Sequence, residues 1–88
     1  MLYRLYTEDI NQDRIIEIVS SHFEGFTLLS GQGYWKGETR IYQEQSVIIE
    51  IVSDCKLDQI VKLAELIKIE NSQESVLIQA IDNSQFYV

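Results

Sequence analysis

Eighty-eight residues with a net charge of −7 make one small domain (1–88) with no room for a second. The composition, 45% hydrophobic and 24% charged, excludes intrinsic disorder, and no run of about 18 apolar residues is present to cross a bilayer. Fourteen acidic against seven basic side chains argue against a nucleic-acid partner, one Cys excludes an internal disulfide, and one Cys with one His cannot supply a zinc site.

Residues 2–7, Leu-Tyr-Arg-Leu-Tyr-Thr, read as a strand bounded by Glu8-Asp9. Acidic residues follow Met1-Leu2-Tyr3-Arg4 where a signal peptide needs an apolar stretch, so the expected location is the cytoplasm. Asn11 offers a helix N-cap, with Asp13 in the first turn, where negative charge suits the helix dipole. Ile15, Ile16, Val19 and Phe23 (or His22) make the apolar stripe of this first helix, and Gly25 stops it. A second strand starts at Phe26-Thr27-Leu28-Leu29 and runs through Gly31 and Gly33 to Tyr34-Trp35. The polar stretch from Lys36 to Gln45 turns the chain. Ser46 to Val52 is β-branched and nearly all apolar, as a central strand is. Ser53-Asp54 caps a second helix with Leu57, Ile60, Val61, Ala64 and Ile67 at 3/4 spacing, which Asn71-Ser72 ends. Ser75 to Ile81 is the last strand, and Gln85 to Val88 offers a short added one.

This β-α-β-β-α-β order gives a ferredoxin-like α+β sandwich: a four-stranded antiparallel sheet with both helices on one face. The other face then has no cover within the chain. The strands carry too many aliphatic and aromatic residues for one covered face, so the expected remedy is a homo-oligomer.

Two polar segments are candidate sites. Gly31 to Arg40 combines glycines, two large aromatics and the cations Lys36 and Arg40, which suits a planar ligand or a partner edge. Its bland alternative is a bulge at Gly31 and Gly33, with Tyr34 and Trp35 packed in a subunit contact. No helix opens after this G-x-G, so it is not a dinucleotide fingerprint. Asn71-Ser72-Gln73-Glu74-Ser75 either reads a small polar ligand with its amides or is a helix cap and turn. His22 and Cys55 would need to meet in space with an orienting group to act as a catalytic pair, and their acidic flanks do not activate a thiol, so they read as a surface His near a helix C-terminus and a small residue near a cap. Glu8, Asp9 and Asp13 read as solvated charge before a helix rather than a cation site. Glu50 interrupts an apolar run, so it either pairs with Arg4 or Lys36 or lines a channel in an oligomer.

Gly31-Gln32-Gly33-Tyr34-Trp35-Lys36-Gly37 reads G-x-G-x-x-K-G and follows the Gly25-Phe26-Thr27-Leu28 strand. In this it resembles the second strand of PII signalling proteins, where the same spacing leads into the T-loop. Ile48-Ile49-Glu50-Ile51-Val52, Asp54, Leu57-Asp58 and Ile60-Val61 resemble the PII third strand and second helix, and Tyr34-Trp35-Lys36-Gly37 with the Glu-bearing strand also resembles CutA. The resemblance covers most of the chain in outline. It implies a trimer whose sheets line a central channel, with ligands in clefts between subunits. In PII proteins those clefts take adenine nucleotides and 2-oxoglutarate, and the T-loop touches partner proteins. Two family parts are absent: Glu38 to Gln45 is too short for a T-loop, and Asn71 to Ser75 replaces the Gly-rich phosphate loop and offers a carboxylate, which works against phosphates.

The expected function is a non-enzymatic PII-like regulatory or ligand-binding oligomer acting through intersubunit clefts and the 31–45 hairpin. Its ligand- or partner-binding residues are Gly31, Gly33, Tyr34, Trp35, Lys36, Gly37, Arg40, Gln73 and Glu74. The partner is a small molecule or a protein, with no metal, cofactor, nucleic acid or membrane. The alternative is an acidic interaction or inhibitor protein that occupies a basic surface of a protein partner, for which carboxylates on one contiguous face are required.

Overall fold

The computed structural model describes residues 1–81. The elements are β1 (Leu2–Glu8), α1 (Gln12–Ser20), β2 (Thr27–Lys36), β3 (Ile41–Val52), α2 (Leu57–Asn71) and β4 (Leu77–Ile81). The strands make one antiparallel sheet in the order β2-β3-β1-β4, the ferredoxin-like α+β arrangement. The added strand expected over 85–88 lies outside the described residues.

Alternation along the two central strands sorts the side chains by face. Tyr3 and Leu5 of β1 and Val47, Ile49 and Ile51 of β3 point to the helices and are buried. They meet Ile15, Ile18 and Val19 of α1 and Ile60, Leu63, Ala64 and Ile67 of α2 in one core. Both helices therefore pack on one face. Arg14 of α1 joins them at the surface, its Nε 3.3 Å from Glu70 Oε1 of α2.

Helix details depart from the sequence reading for local reasons. In α1 the buried stripe is Ile15, Ile18 and Val19, and Ile16 is 39% exposed. Asn11 caps the helix as expected, its Oδ1 accepting from Arg14 N at 3.2 Å. The helix ends at Ser20, before Gly25, because the hydroxyls of Ser20 and Ser21 both donate to the Glu17 carbonyl and compete with further turns. In α2, Leu63 takes the core place assigned to Leu57 and Val61, and Leu57 is 52% exposed. Ser53 does not cap α2: its Oγ accepts from Cys55 N at 3.0 Å in a local turn, and Lys56 stands at the N-cap without a side-chain bond. Ser72 closes the helix in the left-handed conformation at φ 53°, as expected for the Asn71-Ser72 stop.

The largest correction concerns the connection read from Lys36 to Gln45. Only Gly37 to Arg40 turn, closed by Gly37 N donating to Arg40 O at 2.9 Å. Residues 41–45 instead extend β3 and pair with β2 from Gln32 to Lys36. β1 pairs only with 46–52 of β3, so among the described residues this distal part of the hairpin stands out as a two-stranded ribbon with no third strand beside it. No bulge interrupts the register from Thr27 to Lys36.

Candidate functional site on the open sheet face

The side chains facing away from the helices fall into transverse rows set by the register. Leu29, Ile48, Tyr6 and Leu77 form an apolar row across all four strands. The next row, Thr27, Glu50, Arg4 and Gln79, is polar, and beyond it Val52, Leu2 and Ile81 are apolar again. Arg4 Nε stands 3.7 Å from Glu50 Oε2, the expected pairing, and Tyr6 donates from its hydroxyl to Gln79 Oε1 at 3.0 Å. Leu29 is 42%, Leu77 63% and Val52 66% exposed. Two apolar bands thus flank a charged band on a face with no helix over it among the described residues.

Toward the ribbon the face turns acidic. Glu8 at the end of β1 and Glu44 of β3 line one cleft with Tyr6, Thr7, Ser46, Gln73, Ser75 and Leu77. Glu44 lies across Gly33, its register partner. A Cβ at Gly33 would stand 2.9 Å from Ser46 Oγ and 3.2 Å from Glu44 Cγ, so glycine is what lets the carboxylate lie down there. A Cβ at Gly31 would meet only Ile48 Cδ1 at an ordinary 3.8 Å.

The Glu44 carboxyl is held above the ordinary glutamate value of 4.5, first by burial, then by repulsion from Glu8, then by the hydrogen bond with Glu8. Along β3 its nearest titratable neighbour is Tyr42, and β2 contributes only Gly33 opposite it. A carboxyl raised by folding is bound to its proton more tightly in the native than in the unfolded chain. Stability is therefore gained as pH falls through the folded value towards 4.5 and is lost as pH rises. Glu44→Gln is expected to remove this slope and to raise the thermal midpoint at neutral pH. Melting curves from pH 4.5 to about 8 check it: equal slopes for wild type and variant contradict the assignment.

A polar lock holds the cleft to the helices. Asn71, buried at the end of α2, donates from Nδ2 to Thr7 Oγ1 (3.0 Å), Glu8 O (3.1 Å) and Gln73 Oε1 (2.8 Å). Gln73 Oε1 also accepts from the Thr7 hydroxyl and from Glu8 N. Gln73 is thus tied to β1, the structural role of a cap and turn, while one edge of it still lines the cleft.

At the ribbon tip, Trp35 stacks on its cross-strand partner Tyr42 with ring centroids 4.2 Å apart and planes 12° from parallel. The Arg40 guanidinium carbon also stands 4.2 Å from the Tyr42 ring centre. Gly37 makes room for this: a Cβ there would lie 2.6 Å from Tyr42 Cε2.

The residues expected in one site fall in different places. Gly31, Gly33 and Trp35 sit on the open face, with Arg40 against Tyr42 and Gly37 in the turn. Gln32, Tyr34 and Lys36 alternate to the reverse side of the ribbon, where Tyr34 donates to Gln32 Oε1 at 2.8 Å. Gln73 joins the acidic cleft, whereas Glu74 lines a separate depression between α2 and β4 with Val61, Lys68 and Ile78. Sequence reading missed Tyr42 and the Glu8–Glu44 pair. The signal was the alternation Tyr42, Glu44, Ser46, Ile48, Glu50, which extends β3 through the segment read as a turn.

His22 Nδ1 bonds its own helix end at Ile18 O, 2.9 Å away, and the Cys55 backbone is held by Ser53 and Tyr3. Among the described residues no group of three or more His, Cys, Asp or Glu is placed to hold a metal ion. No helix among them is long and apolar enough to cross a membrane.

No family model and no curated protein matches the chain. Solved structures do match, and they show the fold. A phage SAM lyase in complex with S-methyl-5′-thioadenosine aligns with a TM-score of 0.68 at 13% identity, covering 88% of this chain and 76% of that one. The GlnK–ATP complex of B. subtilis aligns at 0.60 and 17% identity, over 91% of this chain and 81% of that one. CutA1 from Pyrococcus horikoshii aligns at 0.60 and 13% identity, over 97% of this chain and 87% of that one. The chain therefore has the PII/CutA-like fold that its sequence resembles, and that fold is shared by an enzyme.

Proposed function

We propose that this chain is a non-enzymatic, cytoplasmic PII/CutA-like homotrimer that binds a small ligand or a protein partner in clefts between its subunits. The observation that carries the reading is the banded open face: two apolar rows on either side of the Arg4–Glu50 pair, uncovered by anything in the described chain. Exposed apolar rows of this extent mark an association surface, and a second copy is the simplest cover for a small domain. The ribbon extends from that face, so its Trp35, Tyr42 and Arg40 come next to whatever covers it. Gly31, Gly33, Tyr34, Lys36, Gly37, Gln73 and Glu74 complete the proposed binding surface.

The cleft chemistry selects the ligand class. Glu8 and Glu44 repel phosphate, so a nucleotide held by its phosphates does not suit this place. A ligand that presents a cation or several hydrogen-bond donors does. For the inhibitor reading, carboxylates occur on both helices, on β1 and β3 and in the loops, and the pair gathered on the open face is Glu8 with Glu44.

Native mass spectrometry of protein purified from its own host tests the proposal. The expected spectrum shows three copies of the 10.3 kDa chain with a small molecule or protein retained. A bare monomer overturns it. Release of S-methyl-5′-thioadenosine on incubation with S-adenosylmethionine overturns the non-enzymatic part.

A further inference from the structure

We propose that the β2–β3 ribbon of one protomer lies across the open sheet face of the next, with Arg40 seated on that protomer's Glu8 and Glu44. This rests on the homo-oligomer proposed above and assigns one of its contacts.

Charge complementarity within one chain carries the assignment. Arg4 pairs with Glu50, and Arg14 with Glu17 and Glu70. Among the described residues Arg40 has no carboxylate within ion-pair distance, and neither Glu8 nor Glu44 has a cation. The two carboxylates lean on each other instead, and a guanidinium arriving there offsets both the burial and the repulsion that raise Glu44. Arg40 is prepared for this. Its guanidinium sits over the Tyr42 ring and pairs with no carboxylate among the described residues, so its N–H groups can fork onto carboxylate oxygens.

Within its own chain Arg40 makes no ion pair with Glu44: it lies in the turn just before β3, four residues and about 13 Å of backbone away at ~3.4 Å per residue, and its guanidinium is held on Tyr42. A second copy is then the source of the cation. The dimensions agree: five ribbon pairs, from Gln32–Gln45 to Lys36–Ile41, make an arm about 17 Å long at that rise. Four strands spaced about 4.8 Å apart present a face about 14 Å wide for it to cross. The contact joins two different patches, tip to face, so it is head-to-tail and closes into a ring when its rotation allows.

Sedimentation velocity over a concentration series, in low and high salt, tests the pairing. Arg40→Glu is expected to weaken association at least tenfold and to abolish its salt dependence. Lys62→Glu, exposed on α2 on the helix side of the sheet, is the control and leaves association unchanged. The swap Arg40→Glu with Glu44→Arg recovers most of the lost affinity. If Arg40→Glu associates as tightly as wild type, or weakens no more than Lys62→Glu, the pairing is wrong while the oligomer stands. If wild type itself sediments as a monomer, the oligomer reading falls and takes the pairing with it.

Discussion

Ile49→Ala is expected to lower the thermal midpoint by more than about 15 °C and to leave little folded protein at 37 °C. Ile49 is fully buried at the middle of β3, the central strand that pairs with both β1 and β2. It lies between Leu5 and Leu28 in register and packs under both helices. Truncating such a side chain costs roughly 2–5 kcal/mol, lost transfer energy plus the cavity left behind. A domain this small has about 5–15 kcal/mol in total, and each 1 kcal/mol moves the midpoint by about 4–8 °C. Circular dichroism melting checks it. A fall of less than about 5 °C would mean that this strand is not the centre of the core. Ile48, one residue away, points to the open face, so the same truncation there is expected to act on association before stability.

Leu29→Glu is the second large effect, and it acts the other way round. Leu29 is 42% exposed in one chain, on edge strand β2, at the end of the apolar row that continues through Ile48, Tyr6 and Leu77. A carboxylate at a half-exposed place on a lone chain reaches water and changes monomer stability little. The same carboxylate buried without a partner between two copies costs several kcal/mol, on the order of 3–5 when a buried pair is left broken. At 1.4 kcal/mol for each tenfold, that is a loss of a hundredfold or more in association. The expected product is a folded monomer with an unchanged far-ultraviolet spectrum. An unfolded variant would mean that the row belongs to the monomer's own core, and an intact oligomer would mean that the subunits meet elsewhere.

The arrangement of elements was legible because the periodicities are strong. Val47 to Val52 reads as a buried central strand by its β-branched run, and the 3/4 spacing of Ile60, Ala64 and Ile67 names the inner face of α2. The uncovered face was legible from the count of apolar strand residues alone. What the sequence concealed was the length of the hairpin. Residues 41–45 are mostly polar, and polarity reads as a loop unless alternation is given more weight than composition. Ile41, Gln43 and Gln45 face solvent on the reverse side of the ribbon, where polar side chains cost a strand nothing, while Tyr42 and Glu44 are half-buried on the open face. The same misreading hid Tyr42 and Glu44, whose roles depend on cross-strand neighbours in β2 and β1. Ile16 and Leu57 were misplaced because apolar spacing along a helix allows two adjacent stripes, and only the packing partner chooses between them. Gly33 was read, with Gly31, as allowing a bulge, and Gly37 only as part of the candidate binding segment. Their backbones are ordinary, and what each supplies is the absence of a side chain under Glu44 and Tyr42.

The proposed trimer requires the banded open face to be buried between copies of the chain. Sedimentation equilibrium of the wild-type protein at micromolar concentration tests it most directly. The account predicts a single species of three times 10.3 kDa that persists on dilution. A species of 10.3 kDa at every concentration would contradict it.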